Sequence, residues 1–350
     1  MATTQFKPKQ SVKRLLAVLP DRARDVLVSR FGLGKETEKM TLDAIGKLYG
    51  ITRERVRQIE NYALTNIRKS DEYKSEKATF SELENLLHSL GGIVVEEDFL
   101  GHISKDVSIQ NHINFLLVVG EGFSKKKEDD EFKHRWHVNE DLAKQVEASI
   151  RKLYEGLGDQ DLLPESEIVS HFLGHLADVS EKYKNQEIVR RWLSLSKKIG
   201  TNAVGDWGVA HSPNIHTKGM RDYAFLVIRK HGSPIHFREV ARQINLVFKK
   251  KAHTATTHNE LIKDPRFVLV GRGLYALKEW GYMSGVVKDV IRTILEKSGP
   301  LTKEQIVEKV MKERYVKENT IIVNLQNQKY FKKDKEGRYS AVGEKSAVSA

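Results

Sequence analysis

Apolar residues in the first 70 positions recur at helical spacing, with breaks only around Gly32–Gly34 and at Gly50, and this predicts nearly continuous amphipathic helix. The pattern sharpens between Thr41 and Ile67. Ile45 and Leu48 mark a short helix, Gly50 a turn, and Thr52 the cap of a second helix. At about 100° per residue, Val56, Ile59, Ala63 and Ile67 fall on one apolar stripe of that second helix. Glu54, Arg57, Gln58 and Asn61 fall on the far side, and Arg53 and Arg55 flank the stripe on either edge.

Beyond residue 70 a unit repeats. Each unit opens with helices and closes on a short β-rich segment of Gly or Arg, an aromatic and an apolar residue. The four closures are His134-Arg-Trp-His-Val138, Gly205-Asp-Trp-Gly-Val209, Gly273-Leu-Tyr-Ala-Leu277 and Gly337-Arg-Tyr-Ser-Ala-Val342. Arg266-Phe-Val-Leu-Val270 precedes the third and Lys329-Tyr-Phe-Lys-Lys333 the fourth, which reads as strand, turn, strand: a wing on a small helical bundle. The expected fold class is therefore mainly α, a helix-turn-helix followed by a string of winged-helix domains with short β wings. The expected boundaries are 1–70, 71–140, 141–212, 213–283 and 284–350.

Charge adds direction to this picture. The 350 residues carry a net +12, unevenly placed. Residues 1–70 hold 15 Lys+Arg and 7 Asp+Glu, residues 71–210 hold 17 and 26, and residues 211–350 hold 27 and 14. Two basic ends around an acidic middle suggest polyanion-facing parts joined by a spacer or a part that faces protein. The absence of cysteine excludes zinc fingers, a thiol nucleophile, iron–sulfur ligation and disulfide scaffolding. The longest apolar run, Phe115–Val119, is far below the roughly 20 residues of a membrane span, and no apolar signal core opens the chain. A cytoplasmic, nucleoid-associated protein is expected.

Catalytic chemistry finds little support. No phosphate-cradling glycine motif occurs, and His171 and His175, at helical i, i+4 spacing, lack a third ligand. His253 with His258 and His134 with His137 lack a defined partner, and no convincing acidic–lysine nuclease set is present. No enzyme activity, cofactor or metal is expected. A helix that buries one face and presents Glu, Arg, Gln and Asn on the other is equipped to read base edges. Arg can donate twice to guanine, Gln can pair with adenine, and Glu can accept from cytosine. Arg53 and Arg55, with Arg68 and Lys69, are placed for phosphates, which give affinity without sequence information.

The residues that carry this pattern also carry a resemblance. Leu19-Pro-Asp-Arg-Ala-Arg-Asp-Val-Leu-Val-Ser-Arg-Phe-Gly-Leu-Gly34, Thr41-Leu-Asp-Ala-Ile-Gly46 and Thr52-Arg-Glu-Arg-Val-Arg-Gln-Ile-Glu60 resemble the fourth conserved region of bacterial primary-type sigma factors. The resemblance covers about residues 11–70. It implies that Arg53, Glu54, Arg57 and Gln58 read a −35-like promoter element. It implies also that the helix around Leu15 to Phe31 faces the β flap of RNA polymerase. A complete sigma factor also has an upstream clamp-gripping domain and aromatic residues for the melted −10 strand. Neither is legible here, so the expectation is a sigma-like factor that does not melt promoters alone.

Residues 220–282 resemble the HARE-type winged helix-turn-helix, a domain of some RNA polymerase delta subunits and of chromatin and restriction proteins. The resemblance rests on Ala224-Phe-Leu-Val-Ile-Arg-Lys-His-Gly232 and Pro234-Ile-His-Phe-Arg-Glu-Val-Ala-Arg-Gln-Ile244, and on Asp264-Pro-Arg-Phe with the Gly-Arg-Gly-x-Tyr-x-Leu run of residues 271–277. It implies DNA contact through Lys249, Lys250, Lys251, Lys263, Arg266 and Arg272. Two alternatives stay open: a protein-binding role for the domain, and a bracing role for Arg266. In residues 286–343, Val290, Ile294, Ile306 and Val310 make helical stripes and Thr320 starts a helix through Asn327. Lys332, Lys333, Lys335 and Arg338 decorate the wing, and Asn324, Gln326 and Gln328 are polar positions within reach of bases.

Together these readings predict a sequence-specific, sigma-like transcription factor that binds double-stranded DNA and acts with RNA polymerase in initiation. One alternative is a delta-like polymerase accessory subunit that binds protein through the Leu15–Phe31 helix and hardly reads DNA. Another is a DNA-targeting subunit of a nuclease.

Overall fold

A computed structural model of the chain describes residues 6–176, 183–283 and 285–342. It separates into two compact units, residues 1–201 with 207–210, and residues 202–206 with 211–350. Described residues form helices with small antiparallel sheets of two or three strands, as the periodicity requires.

The first unit starts with α1 (Pro8–Ala17), α2 (Asp21–Phe31), α3 (Leu42–Tyr49), α4 (Arg53–Lys69), α5 (Asp71–Ser75) and α6 (Lys77–Ser89). β1 (Ile93–Val95), α7 (Glu96–Ile103), α8 (Val107–Val119), β2 (Ser124–Lys126) and β3 (Arg135–His137) follow. α8 is buried on nearly every side, so it can be covered only from several directions. Val12 and Leu15 of α1, Leu27 and Phe31 of α2, and Ala63 and Ile67 of α4 share one core with Leu83, Phe99, Phe115 and Trp136. The Phe31 and Phe115 rings meet edge to face at 5.2 Å.

The expected boundary at residue 70 therefore runs through the middle of one core. It followed the span of the motif, whereas the apolar sides of α1, α2 and α4 need α8 to cover them. The same packing corrects the expected polymerase-facing surface. Leu15, Leu16, Leu19, Ala23, Leu27 and Phe31 are buried inside the unit. Substituting Leu27 or Phe31 would report on folding before it reported on any partner.

β1 divides its side chains between two cores, as strand alternation dictates. Val94 joins the first, while Ile93 and Val95 join a second with Phe132, Val146, Ile150, Phe172, Trp192 and Trp207. That second core is built by α9 (Glu140–Glu155), α10 (Glu165–Gly174), α11 (Gln186–Leu193), β4 (Ile199–Thr201) and β5 (Trp207–Val209).

The other compact unit holds two further helix–wing modules. The first comprises α12 (Met220–His231), β6 (Ile235–His236), α13 (Phe237–Phe248), α14 (Thr254–Lys263), β7 (Phe267–Leu269) and β8 (Leu274–Leu277). The second comprises α15 (Val287–Ser298), α16 (Lys303–Glu313), α17 (Glu318–Leu325), β9 (Phe331–Lys333) and β10 (Tyr339–Ala341). The expected helix from Thr320 to Asn327 thus lies two residues earlier.

Each of the four closures supplies the last strand of an antiparallel pair, β2–β3, β4–β5, β7–β8 and β9–β10. The closing aromatic turns inward each time. Trp136, Trp207 and Tyr275 are buried and Tyr339 packs against its module's core. An aromatic ring there anchors a two-stranded wing that could not hold itself together in water.

We expect Phe115→Ala to lower the free energy of unfolding by about 3–5 kcal/mol in urea titration. Hydrogen exchange should quicken together in residues 53–69 and 107–119, whereas protection lost only in the latter would refute the shared core.

Candidate nucleic-acid interface

The helix-turn-helix is fixed by its caps. Thr41 Oγ1 accepts from the Ala44 amide and Thr52 Oγ1 from the Arg55 amide, both at 3.2 Å. Gly50, at φ 64°, ends α3 in the left-handed region that glycine tolerates best. Gly46 allows the turn to close, since a Cβ there would lie 2.7 Å from the Ile51 carbonyl oxygen. Val26, Ile45 and Val56 then lock α2, α3 and α4 around a small core of their own. Leu48, grouped with Ile45 by its spacing, instead stands 64% exposed.

This packing leaves Arg53, Glu54, Arg57 and Gln58 all exposed on the first two turns of α4. They are not idle. Arg57 makes a two-pronged bond to Glu54, Nε to Oε2 at 2.9 Å and Nη2 to Oε1 at 2.7 Å. That hydrogen bond holds the Glu54 carboxyl below its ordinary range, so Glu54 stays an acceptor near neutral pH. Arg55 Nη1 donates to Gln58 Oε1 at 3.0 Å. Pairs this exposed exchange partners readily when a better acceptor arrives.

The expected phosphate contacts divide. Arg55 and Lys69 are exposed. Arg68 is not available: its Nε donates to the Val119 carbonyl at 2.9 Å and its Nη2 to that of Val118 at 2.8 Å. It caps the C-terminal end of α8, where free carbonyls attract a cation. Sequence spacing could not show this, because the partner lies about 50 residues away.

The structure adds two residues that the sequence reading passed over. A cleft of about 340 Å³ between α2 and α4 is lined by Pro20, Arg22, Ala23, Arg55, Gln58, Ile59 and Tyr62. Arg22 is exposed and Tyr62 is 57% exposed. The signal for Tyr62 was its place one turn beyond Gln58 on the same helix.

In the module of residues 213–283, Lys249, Lys250 and Lys251 lie in the α13–α14 connection, Lys263 ends α14, and Arg272 tops the β7–β8 turn. All five are exposed. Lys249 takes φ 51°, a left-handed conformation that ends α13. Arg266 behaves as a brace. It pairs with Asp264 at 2.7 Å and Asp222 at 3.1 Å, tying the wing to α12.

Comparison with known proteins meets the chain at this same helix-turn-helix. Residues 15–69 match the family described as Sigma-70, region 4. A relative, the RNA polymerase sigma factor RpoS of Coxiella burnetii (strain RSA 493 / Nine Mile phase I), is 54% identical over 57 residues. That stretch is 16% of this chain and 16% of the relative. The resemblance stated from Leu19–Glu60 is thus supported, and it ends where α4 ends. Among the described residues no helix is long and apolar enough to cross a membrane.

Arg68→Ala should lower the urea stability of the protein by about 2 kcal/mol, because two buried-end carbonyls lose a charged donor. Lys69→Ala should leave stability unchanged, and equal effects of the two would contradict the capping role.

Proposed function

We propose that this protein is a sigma-like, sequence-specific DNA-binding factor that acts in transcription initiation with RNA polymerase, by binding and not by catalysis. The observation that carries this reading is the exposed row Arg53, Glu54, Arg57 and Gln58 on a capped helix inside the sigma-70 region 4 match. Such a row suits direct readout in the major groove, where each of its side-chain types has a base-edge partner. Arg55, Lys69 and Arg22 border it as phosphate contacts, and the element read would be −35-like.

The module of residues 213–283, which resembles a HARE-type winged helix, would add sequence-independent contacts through Lys249, Lys250, Lys251, Lys263 and Arg272. Their exposure supports this, and none of the five is ion-paired among the described residues. Two DNA-binding parts on one chain raise each other's effective concentration, so the whole binds more tightly than either alone. The contact with the polymerase, at its β flap, would use other polar positions of α2 that remain exposed, such as Asp21 and Asp25, since the apolar side is packed internally. The setting for this activity is the cytoplasm, on the nucleoid.

Selection of the purified chain against random duplexes should enrich one motif. Arg57→Ala or Gln58→Ala should relax preference at one base position by roughly five- to a hundredfold, with little change elsewhere in the site. Failure to enrich any motif, with polymerase association intact, would favour the accessory-subunit alternative.

A further inference from the structure

The two C-terminal modules are built alike yet place their charge differently. In the last module α17 (Glu318–Leu325) has no lysine or arginine. Its exposed positions are Glu318, Asn319 and Val323, the last 57% exposed. A third helix of this composition offers phosphate nothing and base edges little. The cations gather instead on the wing.

There a cleft of about 650 Å³ lies between the end of α17 and the β9–β10 pair, with Gln326, Gln328, Lys332, Lys333 and Tyr339 among its lining. The wing also carries Asp334 and Glu336, but both are taken by Arg338. Lys332 and Lys333 are exposed and within ion-pair distance of no carboxylate among the described residues. The Glu304 carboxyl is held below its ordinary range chiefly by its own backbone amide and the Thr302 hydroxyl, and Lys333 adds only a minor attraction, so the charge of both lysines stays largely available. Lys333 Nζ stands 5.6 Å from the Tyr339 ring centroid, and Lys288 Nζ and Lys329 Nζ stand 4.6 and 5.7 Å from that of Tyr330. The aliphatic and phenyl groups of the cleft, Leu325 and Phe331, are buried in the module core and offer no apolar anchor for a peptide.

We propose that this wing cleft, and not the third helix, binds the phosphodiester backbone of nucleic acid, with Lys332 and Lys333 on phosphates and Gln326 and Gln328 on neighbouring polar groups. This is a site separate from α4 and independent of the sequence it reads. Among the described residues, cations with no carboxylate in ion-pair reach, amides without a hydrogen-bond partner and the lack of an apolar anchor fit a polyanion better than an acidic protein segment.

The test uses the full chain and a labelled duplex without any selected motif, with the single strand of the same sequence as a second probe. Affinity is followed against salt concentration. Lys332→Ala with Lys333→Ala should flatten the log–log salt slope on duplex by about 1.8, at about 0.9 per phosphate contact. Lys332→Arg with Lys333→Arg should keep the slope, and Asn319→Ala with Val323→Ala should leave it untouched. A flattened slope on the single strand as well, at about 0.7 per contact, extends the site to unpaired backbone. An unchanged slope on both probes overturns the proposal. So does an equal loss from the α17 variant, or a lysine variant that loses RNA polymerase while keeping both slopes. Because no probe contains a selected motif, these outcomes do not depend on whether α4 reads sequence.

Discussion

The exposed row of Arg53, Glu54, Arg57 and Gln58 on α4 depends on the burial of α8. Val56 and Ile45 hold the local turn, but Ala63 and Ile67, further along α4, rest on a core that Phe115 and its neighbours complete. Side chains can be held against a groove only if the helix beneath them does not move. Here that rigidity comes from residues well outside the sigma-like motif. Arg68 strengthens the arrangement by closing the end of α8 with two hydrogen bonds. A segment that looks portable is therefore part of a larger body.

The candidate reading residues are held in one another's company. Glu54 with Arg57, and Arg55 with Gln58, form two interleaved pairs, each spanning about one turn. Such pairing limits the rotamers available to two long cations while keeping them in water, so part of the ordering cost of recognition is met in advance. It also keeps an acceptor, Glu54, beside a donor, Arg57, which a groove with a mixed pattern can use.

The C-terminal half follows a different logic, in which two modules are joined by one buried cation. Arg314, only 3% exposed, donates to the carbonyls of Leu269, Met283 and Gly285. The Tyr315 amide donates to the Val270 carbonyl at 2.8 Å. Gly271 makes that approach possible, since a Cβ there would lie 2.8 Å from the Tyr315 carbonyl oxygen. A buried guanidinium with several carbonyl partners is costly to expose, so the wing of one module and the end of the second helix of the next, α16, are held in register.

The sequence alone determined the elements and their chemistry. Helical spacing from Val56 to Ile67 named the buried stripe, Thr52 named the cap of the second helix, and the aromatic closures marked the short β segment that ends each unit. These features are local, set by neighbours within a few residues, and so they are written in the order of the chain. Tertiary structure decided which surfaces remained free. Arg68 went to α8, Arg266 to two carboxylates, and the apolar sides of α1 and α2, read from the sequence as one helix, to a core that crosses the expected boundary at 70. Each of these outcomes depends on a partner distant in sequence, brought close only when the chain buries its apolar surface, and no local pattern encodes that distance.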